Sequence, residues 1–216
     1  MKIIIPMAGM GKRMRPHTLT IPKPLINIAG KPIVQRLVED LMDLVDEKVE
    51  EIAYIIGDFG AEVEEHLLDI ATSVGSKGKI YYQNQALGTA HAISCAAESI
   101  SGKVIVAFAD TLFRTTQKMD TSREGIIWVH KVEDPSAFGV VKTDNKDIVT
   151  KFIEKPTSPV SNQAIVGVYY FREGEVLKEE IEKLLAAKVL VNGEYQLTDV
   201  LENMMQRGCS FSVYNV

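Results

Sequence analysis

The stretch "KIIIPMAGMGKRMRPHTLTIPKPL", residues 2–25, decides how the rest of the chain is read. It opens with a β-branched apolar run, Ile3-Ile4-Ile5, and turns through Pro6 into a loop with glycines at 9 and 11. A short run of this kind, bounded by Pro and Gly, reads as a buried strand feeding a glycine loop. The loop is then densely basic. Residues 1–38 contain Lys2, Lys12, Arg13, Arg15, Lys23, Lys31 and Arg36, and the first acid of the chain is Glu39. The remainder carries 17 basic against 29 acidic residues, a net of −12. A positive segment on an acidic body points to a local anionic ligand rather than to a nonspecific polyanion surface. The overall net charge of −5 speaks against a nucleic-acid partner.

Two phosphate-loop patterns fail against this stretch. A nucleotide P-loop needs G-x-x-x-x-G-K-[ST], but Pro6 takes the first glycine position and Arg13 follows Gly11-Lys12. A dinucleotide loop needs G-x-G-x-x-G and an acid about 20 residues on. Here Met14 takes the third glycine position and no acid precedes Glu39. What survives is a glycine loop whose backbone N–H groups can cup an anion, followed by Lys12, Arg13 and Arg15. Lys23 lies between Pro22 and Pro24 on what reads as a stiffened extended segment with no nearby acid. From the residues alone the segment is an anion cradle or a solvated basic loop.

Working outward, "KPIVQRLVEDLMDLV" carries Ile33, Val34, Leu37, Val38, Leu41, Met42 and Val45 on one face at helical spacing, with Pro32 suited to the first turn. "EIAYIIG" reads as a second strand and "AEVEEHLLDIAT" as a second helix. "GKIYYQ" is a third strand, and "GTAHAISCAAESI" a small-residue helix with Thr89 as N-cap. "KVIVAFAD" is a fourth strand that delivers Asp110 at its end. Alternating strand and helix predicts a parallel, doubly wound α/β sheet. Ligand sites in such sheets lie beyond the carboxyl ends of the strands, where the first loop, Gln83 and Asp110 all fall. The second half changes character. "GIIWVHKV", "FGVVKTD", "DIVTKFIEKP" and "AIVGVYYF" read as mixed or antiparallel strands. Two amphipathic helices follow, the second ending at Gly208, and "SFSVYNV" is a final strand.

Other classes find no support. Cys95 and Cys209 have no CxxC or His-spaced partner, so a disulfide framework or zinc site is not expected. The N-terminal apolar run is too short for a signal peptide or a membrane span, which leaves a reducing, cytoplasmic home and no membrane partner as the expectation. His17, His66, His91 and His130 are scattered and read as structural or surface residues.

The span "AGMGKRMRPHTLTIPKPL" closely resembles the signature of the sugar-1-phosphate nucleotidyltransferases, the nucleotide-sugar pyrophosphorylases. Their pattern, G-x-G-x-R, then P-x-T, then P-K-P-L, is present in order as Gly9, Gly11, Arg13, Pro16, Thr18 and Pro22-Lys23-Pro24-Leu25. The likeness continues through "QNQALGTAHA", "VAFADTLF", "FGVV", "FIEKP", "VGVYYF" and "GEYQLTD", nearly the whole chain.

The resemblance implies a three-layer α/β/α Rossmann-like fold with a predominantly parallel mixed sheet. It implies one domain over 1–216, with a nucleotide-binding half at 1–110 and a sugar-phosphate half at 111–216. It also implies roles. Backbone at Ala8, Gly9 and Gly11 would cradle a triphosphate, with Lys12 beside it. Arg13 would hold the β- and γ-phosphates, and Lys23 would sit by the α-phosphate. Asp110 would hold Mg²⁺. Gln83 and Gly88 would meet the base. Gly139, Glu154, Lys155 and the Val168 region would form the sugar-phosphate pocket. The implied substrates are a nucleoside triphosphate, UTP or dTTP first, and a sugar 1-phosphate, with glucose as the default. A homo-oligomeric state stays open. Two alternatives are a non-catalytic nucleotide-sugar-binding or regulatory protein, and nucleotidyl transfer to another phosphorylated acceptor.

Two departures from the family pattern stand out. Thr111 follows the acid where many members have Asn. The chain also stops at "FSVYNV", before the W-x-D-x-G segment that in the family supplies a second Mg²⁺-binding Asp. Either the chain is a truncated piece, or metal binding rests on Asp110, the nucleotide and water; the resulting expectation is weak metal binding and poor or absent turnover.

Overall fold

In the computed structural model, residues 1–9, 22–115, 117–158, 160–188, 190–191 and 193–216 are described. Gly11, Lys12 and Arg13 lie outside the described residues, as do Pro16 and Thr18 of the signature.

The first half runs β1 (Lys2–Pro6), a 3-10 turn (Lys23–Leu25), β2 (Asn27–Ile28), β3 (Lys31–Pro32), α1 (Ile33–Leu44), β4 (Glu51–Ile56), α2 (Ala61–Ser73), β5 (Lys77–Tyr82), α3 (Thr89–Ser94) and β6 (Val104–Ala107). The second half adds β7 (Gly125–Lys131), β8 (Gly139–Thr143), β9 (Val149–Glu154), β10 (Gln163–Phe171), α4 (Gly174–Ala186), α5 (Leu197–Gln206) and β11 (Phe211–Asn215).

The main sheet has the order β11-β7-β10-β6-β1-β4-β5, with β8 and β9 attached beside β10. β1 pairs in parallel with β4 and β6, β4 with β5, and β11 with β7. β10 alone on this path runs against its neighbours β6 and β7. The sheet is therefore mixed and predominantly parallel.

Its strands face two apolar layers. Ile3 and Ile5 point into one core with Val34, Leu37 and Leu41 of α1 and Leu67 and Ile70 of α2. Ile4, between them, points into the other with Ile93 of α3, Leu177 and Ile181 of α4 and Leu201 of α5. The strict alternation along β1 is what a strand buried on both faces requires.

Helix ends position the site. Pro32 precedes α1, and the predicted apolar stripe is buried at Ile33, Val34, Leu37, Val38 and Leu41. Thr89 does not cap its own helix. Gly88, with φ 108, takes that position, and the Thr89 hydroxyl accepts from the Leu197 N–H at 2.9 Å, at the start of α5. The left-handed backbone at 88 leaves the cap to a residue without Cβ. The threonine is thereby free to tie the two halves of the chain together. Gly208, with φ +98, follows the end of α5 as expected.

Candidate active site

The carboxyl ends of β1, β5 and β6 converge on a cavity of about 330 Å³, lined among others by Ala8, Gly9, Lys23, Gln83, Gly88 and Asp110. A second cavity, of about 890 Å³, opens beside it and is lined among others by Thr111, Phe138, Gly139, Glu154, Lys155 and Gly167. Thr89, Phe108 and Asp110 belong to both walls, so the two spaces meet at Asp110. Residues from positions 8 to 198 are thus gathered around one junction, because β1 and β6 are neighbours in the sheet and β10 lies beside β6.

At that junction the Lys23 Nζ stands 3.2 Å from Asp110 Oδ2, the lysine 27% exposed and the aspartate 58%. The reading of Lys23 as an extended-segment lysine without an acidic partner is corrected on both points. It lies in a 3-10 turn, and its partner comes from 87 residues further on. Local sequence carries no trace of such a pair, which joins the 3-10 turn to the loop after β6. At this exposure the pair is weak, worth at most about 1 kcal/mol. An arriving phosphate or cation can therefore separate it.

Gln83 follows the end of β5 and anchors its backbone N–H to the Ile56 carbonyl at 2.8 Å. Its side-chain nitrogen lies 3.1 Å from His91 Nδ1 and 3.4 Å from the Gly88 carbonyl. Burial lowers the pKa of His91. At Gly88 the backbone comes close to the second half of the chain. The Tyr195 N–H donates to the Leu87 carbonyl at 2.8 Å, and the Ala90 N–H to the Tyr195 carbonyl at 3.0 Å. A Cβ at position 88 would sit 2.5 Å from the Tyr195 oxygen. Only glycine fits that approach.

In the second cavity, Gly139 and Glu154 are opposite each other across the β8–β9 ladder. A Cβ at 139 would lie 3.0 Å from Glu154 Oε2, so the glycine leaves room for that carboxylate. The Thr198 hydroxyl, in the first turn of α5, donates to the same oxygen at 3.4 Å. Lys155 has φ 41, uncommon for a residue with a side chain, and its N–H donates to the Phe138 carbonyl at 3.1 Å. Its Nζ lies 3.8 Å from Glu154 Oε1. Burial, with the Glu154 charge nearby, raises the pKa of the Tyr169 hydroxyl far above its ordinary value.

Val168 does not line this cavity. It is fully buried in the core beside Ala107. β10 reaches the space through Val166, Gly167 and Tyr169, because a bulge between Ile165 and Tyr169 shifts its register. Gly167, with φ 86, packs against Phe108 and Thr111 and was the better pointer. A glycine inside a strand pattern marks a bulge or a close approach. His91, Tyr195 and Thr198 also belong to the site, beyond the residues that the sequence points to. Tyr195 and Thr198 act through contacts distant in sequence, and His91 through Gln83, 8 residues before it, and no local pattern marks any of the three.

Among the described residues no group of three His, Cys, Asp or Glu side chains is placed to hold a metal by itself. Asp110 is a lone, accessible carboxylate on the boundary between the two cavities. That arrangement fits a cation such as Mg²⁺, which usually takes one or two carboxylates and completes its shell with phosphate oxygens and water. No helix among the described residues is long and apolar enough to cross a membrane.

A predominantly parallel sheet with Gly9 and Lys23 beyond its strand ends, and a second cavity that shares Asp110, defines an α/β protein with two adjoining spaces where such sheets hold their ligands. The chain belongs to the nucleotidyl transferase family, whose family model matches residues 2–214.

Among curated relatives it is 31% identical over 215 residues to the low-salt glycan biosynthesis nucleotidyltransferase Agl11 of Haloferax volcanii, covering 96% of this chain and 58% of that protein. It is 32% identical over 206 residues to the bifunctional protein GlmU of Methanocaldococcus jannaschii, covering 95% and 47%. The chain thus spans about half the length of the curated relatives it matches. Its fold is that of the nucleoside-diphosphate-sugar pyrophosphorylase from Vibrio cholerae RC9, with a TM-score of 0.83 at 20% identity over 99% of this chain and 91% of that one. A UDP-glucose pyrophosphorylase complexed with UDP-glucose gives a TM-score of 0.78 at 24% identity, over 99% and 90%.

Proposed function

We propose that this chain transfers a nucleoside monophosphate from a nucleoside triphosphate to a sugar 1-phosphate, releasing pyrophosphate and forming a nucleotide-sugar. The observation that carries this reading is the meeting of the two cavities at Asp110, with Lys23 3.2 Å away. A phosphate oxygen of the acceptor attacks the α-phosphorus. The new P–O bond forms as the bond to the β-phosphate's bridging oxygen breaks, and the electron pair leaves with pyrophosphate. Both reactants are polyanions, so the protein's work is positioning and charge neutralisation, with no covalent nucleophile.

The first cavity takes the nucleotide, with backbone at Ala8 and Gly9 facing the phosphates and Gln83 and Gly88 facing the base. Gly11, Lys12 and Arg13 follow in sequence, and Arg13 suits bidentate contact with the departing phosphates. Lys23 is a compact charge for the α-phosphate. The second cavity takes the acceptor, with Glu154 accepting from sugar hydroxyls, Lys155 binding the sugar's phosphate, and Gly139 and Gly167 shaping the wall. Asp110 is the residue that would hold Mg²⁺, which, when bound, supplies positive charge to phosphate oxygens.

UTP or dTTP with glucose 1-phosphate is the first pair to try. The relatives named for guanylyl transfer to mannose 1-phosphate argue for a wide panel. The test is release of pyrophosphate with Mg²⁺ across all common triphosphates and a series of sugar 1-phosphates. Product with at least one pair supports the reading. Tight binding of a nucleotide-sugar without product from any pair favours a non-catalytic binding protein.

A further inference from the structure

His91 lies behind the first cavity, outside the set of residues that line it, and touches Gln83, which does line it. The orientation of the Gln83 carboxamide follows from its two neighbours. The Gly88 carbonyl, 3.4 Å away, already accepts the first bond of α3 from the Ala92 N–H at 3.0 Å. A carbonyl can only accept, so the carboxamide must turn its NH₂, not its oxygen, toward Gly88. The second hydrogen of that NH₂ then falls to His91 Nδ1 at 3.1 Å. For this the ring must be neutral, with Nδ1 bare and its proton on Nε2. Burial, which lowers the pKa of His91, keeps it so. Both donors of Gln83 are spent on the protein. Its Oε1 has no partner among the described residues and is left for the ligand.

We infer that His91 is a positioning residue that sets base selectivity: by holding the Gln83 NH₂ it fixes Oε1 as an acceptor, so the site takes bases with a ring N–H on the pairing edge. Uracil, thymine and guanine carry that group. Cytosine and adenine present a bare ring nitrogen, whose lone pair would face the Gln83 oxygen. The inference deepens the nucleotidyl-transfer reading and rests on it.

Two measurements on the full chain test it. In the unliganded protein with ¹⁵N-labelled histidine, NMR near neutral pH should show His91 protonated on Nε2 only. A proton on Nδ1 overturns the arrangement, whether or not any nucleotide binds. In titrations without acceptor, UTP, dTTP or GTP should bind at least about tenfold tighter than CTP and ATP, the usual scale for facing a buried acceptor with no donor. In His91→Leu only the longer 3.4 Å contact to the Gly88 carbonyl still restrains the amide, and the preference should fall to about threefold or less. Affinity for inorganic tripolyphosphate, which has no base, should stay as in the parent protein. Undiminished selectivity in His91→Leu, or a parallel loss of tripolyphosphate affinity, would show that His91 merely supports the fold. Binding of tripolyphosphate with no preference among bases overturns the inference while leaving the phosphate site intact. Failure of tripolyphosphate and every nucleotide to bind sinks the nucleotidyl reading itself.

Discussion

Replacing Gly88 by alanine tests how the nucleotide cavity is closed from behind. Two costs add at this position. The backbone has φ 108 and ψ 178, a region that side chains avoid at about 1–3 kcal/mol. The new Cβ would also sit 2.5 Å from the Tyr195 oxygen and 2.6 Å from its nitrogen. Both obstacles are backbone atoms, and they are fixed by the hydrogen bonds to Leu87 and Ala90. Relieving that overlap costs about another 1–3 kcal/mol. Gly75→Ala is the matched control, since its φ is +77 and nothing lies within 4 Å of its Cβ. The difference between the two variants reads the clash together with the more demanding backbone at 88. Urea unfolding should place Gly88→Ala about 1–3 kcal/mol below Gly75→Ala, out of the 5–15 kcal/mol typical of a domain. Nucleotide binding should weaken in Gly88→Ala alone. Equal stability of the two variants, with unchanged nucleotide affinity in both, would refute the claim that the 88–195 approach shapes the cavity.

Further consequences can be checked separately. Gly139→Ala brings a Cβ to 3.0 Å from Glu154 Oε2 and displaces that carboxylate. KM for the sugar phosphate should rise about fivefold, as expected for one misplaced hydrogen bond, with KM for the triphosphate unchanged. Glu51 is buried beside Ser99 at 2.5 Å and Lys79 at 2.9 Å. Burial pushes its pKa up, but the hydrogen bonds from Ser99 and Lys79 outweigh this and hold it below the ordinary glutamate value of 4.5. Its contribution to stability is therefore present above about pH 4.5 and lost as pH falls through the lowered value. Ser99→Ala should cost about 1.5–3 kcal/mol at pH 7, and the gap to the parent protein should close toward pH 3 in denaturant titrations. A pH-independent gap would mean that Ser99 matters for packing and not for the charge. Asp110→Asn should weaken Mn²⁺ binding in the presence of nucleotide, measured by the free-ion electron paramagnetic resonance signal; unchanged binding would place the cation elsewhere.

The parts of this protein written in local pattern were legible from the sequence. Alternating strands and helices gave the doubly wound half, and the apolar stripe of Ile33, Val34, Leu37 and Leu41 gave α1 its buried face. Because ligands gather at the carboxyl ends of parallel strands, Ala8, Gly9, Gln83 and Asp110 could be placed together before any coordinates. Pairings over long separations were not legible. Nothing near Lys23 announces Asp110, and nothing in Thr89 says that it caps α5 instead of α3. The antiparallel insertion of β10 between β6 and β7 is likewise a property of the assembled sheet. Within the Val168 region it is Gly167 and Tyr169 that face the cavity, because a bulge resets which residues face which side.

The central claim is that Lys23 stands where a nucleotidyl group changes hands. It is tested most directly by pyrophosphate release from the best substrate pair, compared between the parent protein and Lys23→Met, a substitution of similar length without the charge. The account predicts a fall in kcat of about 10²–10³-fold, the scale of removing one preorganised electrostatic contact to a transition state, with the triphosphate KM changed far less. Equal kcat in the two proteins would contradict it.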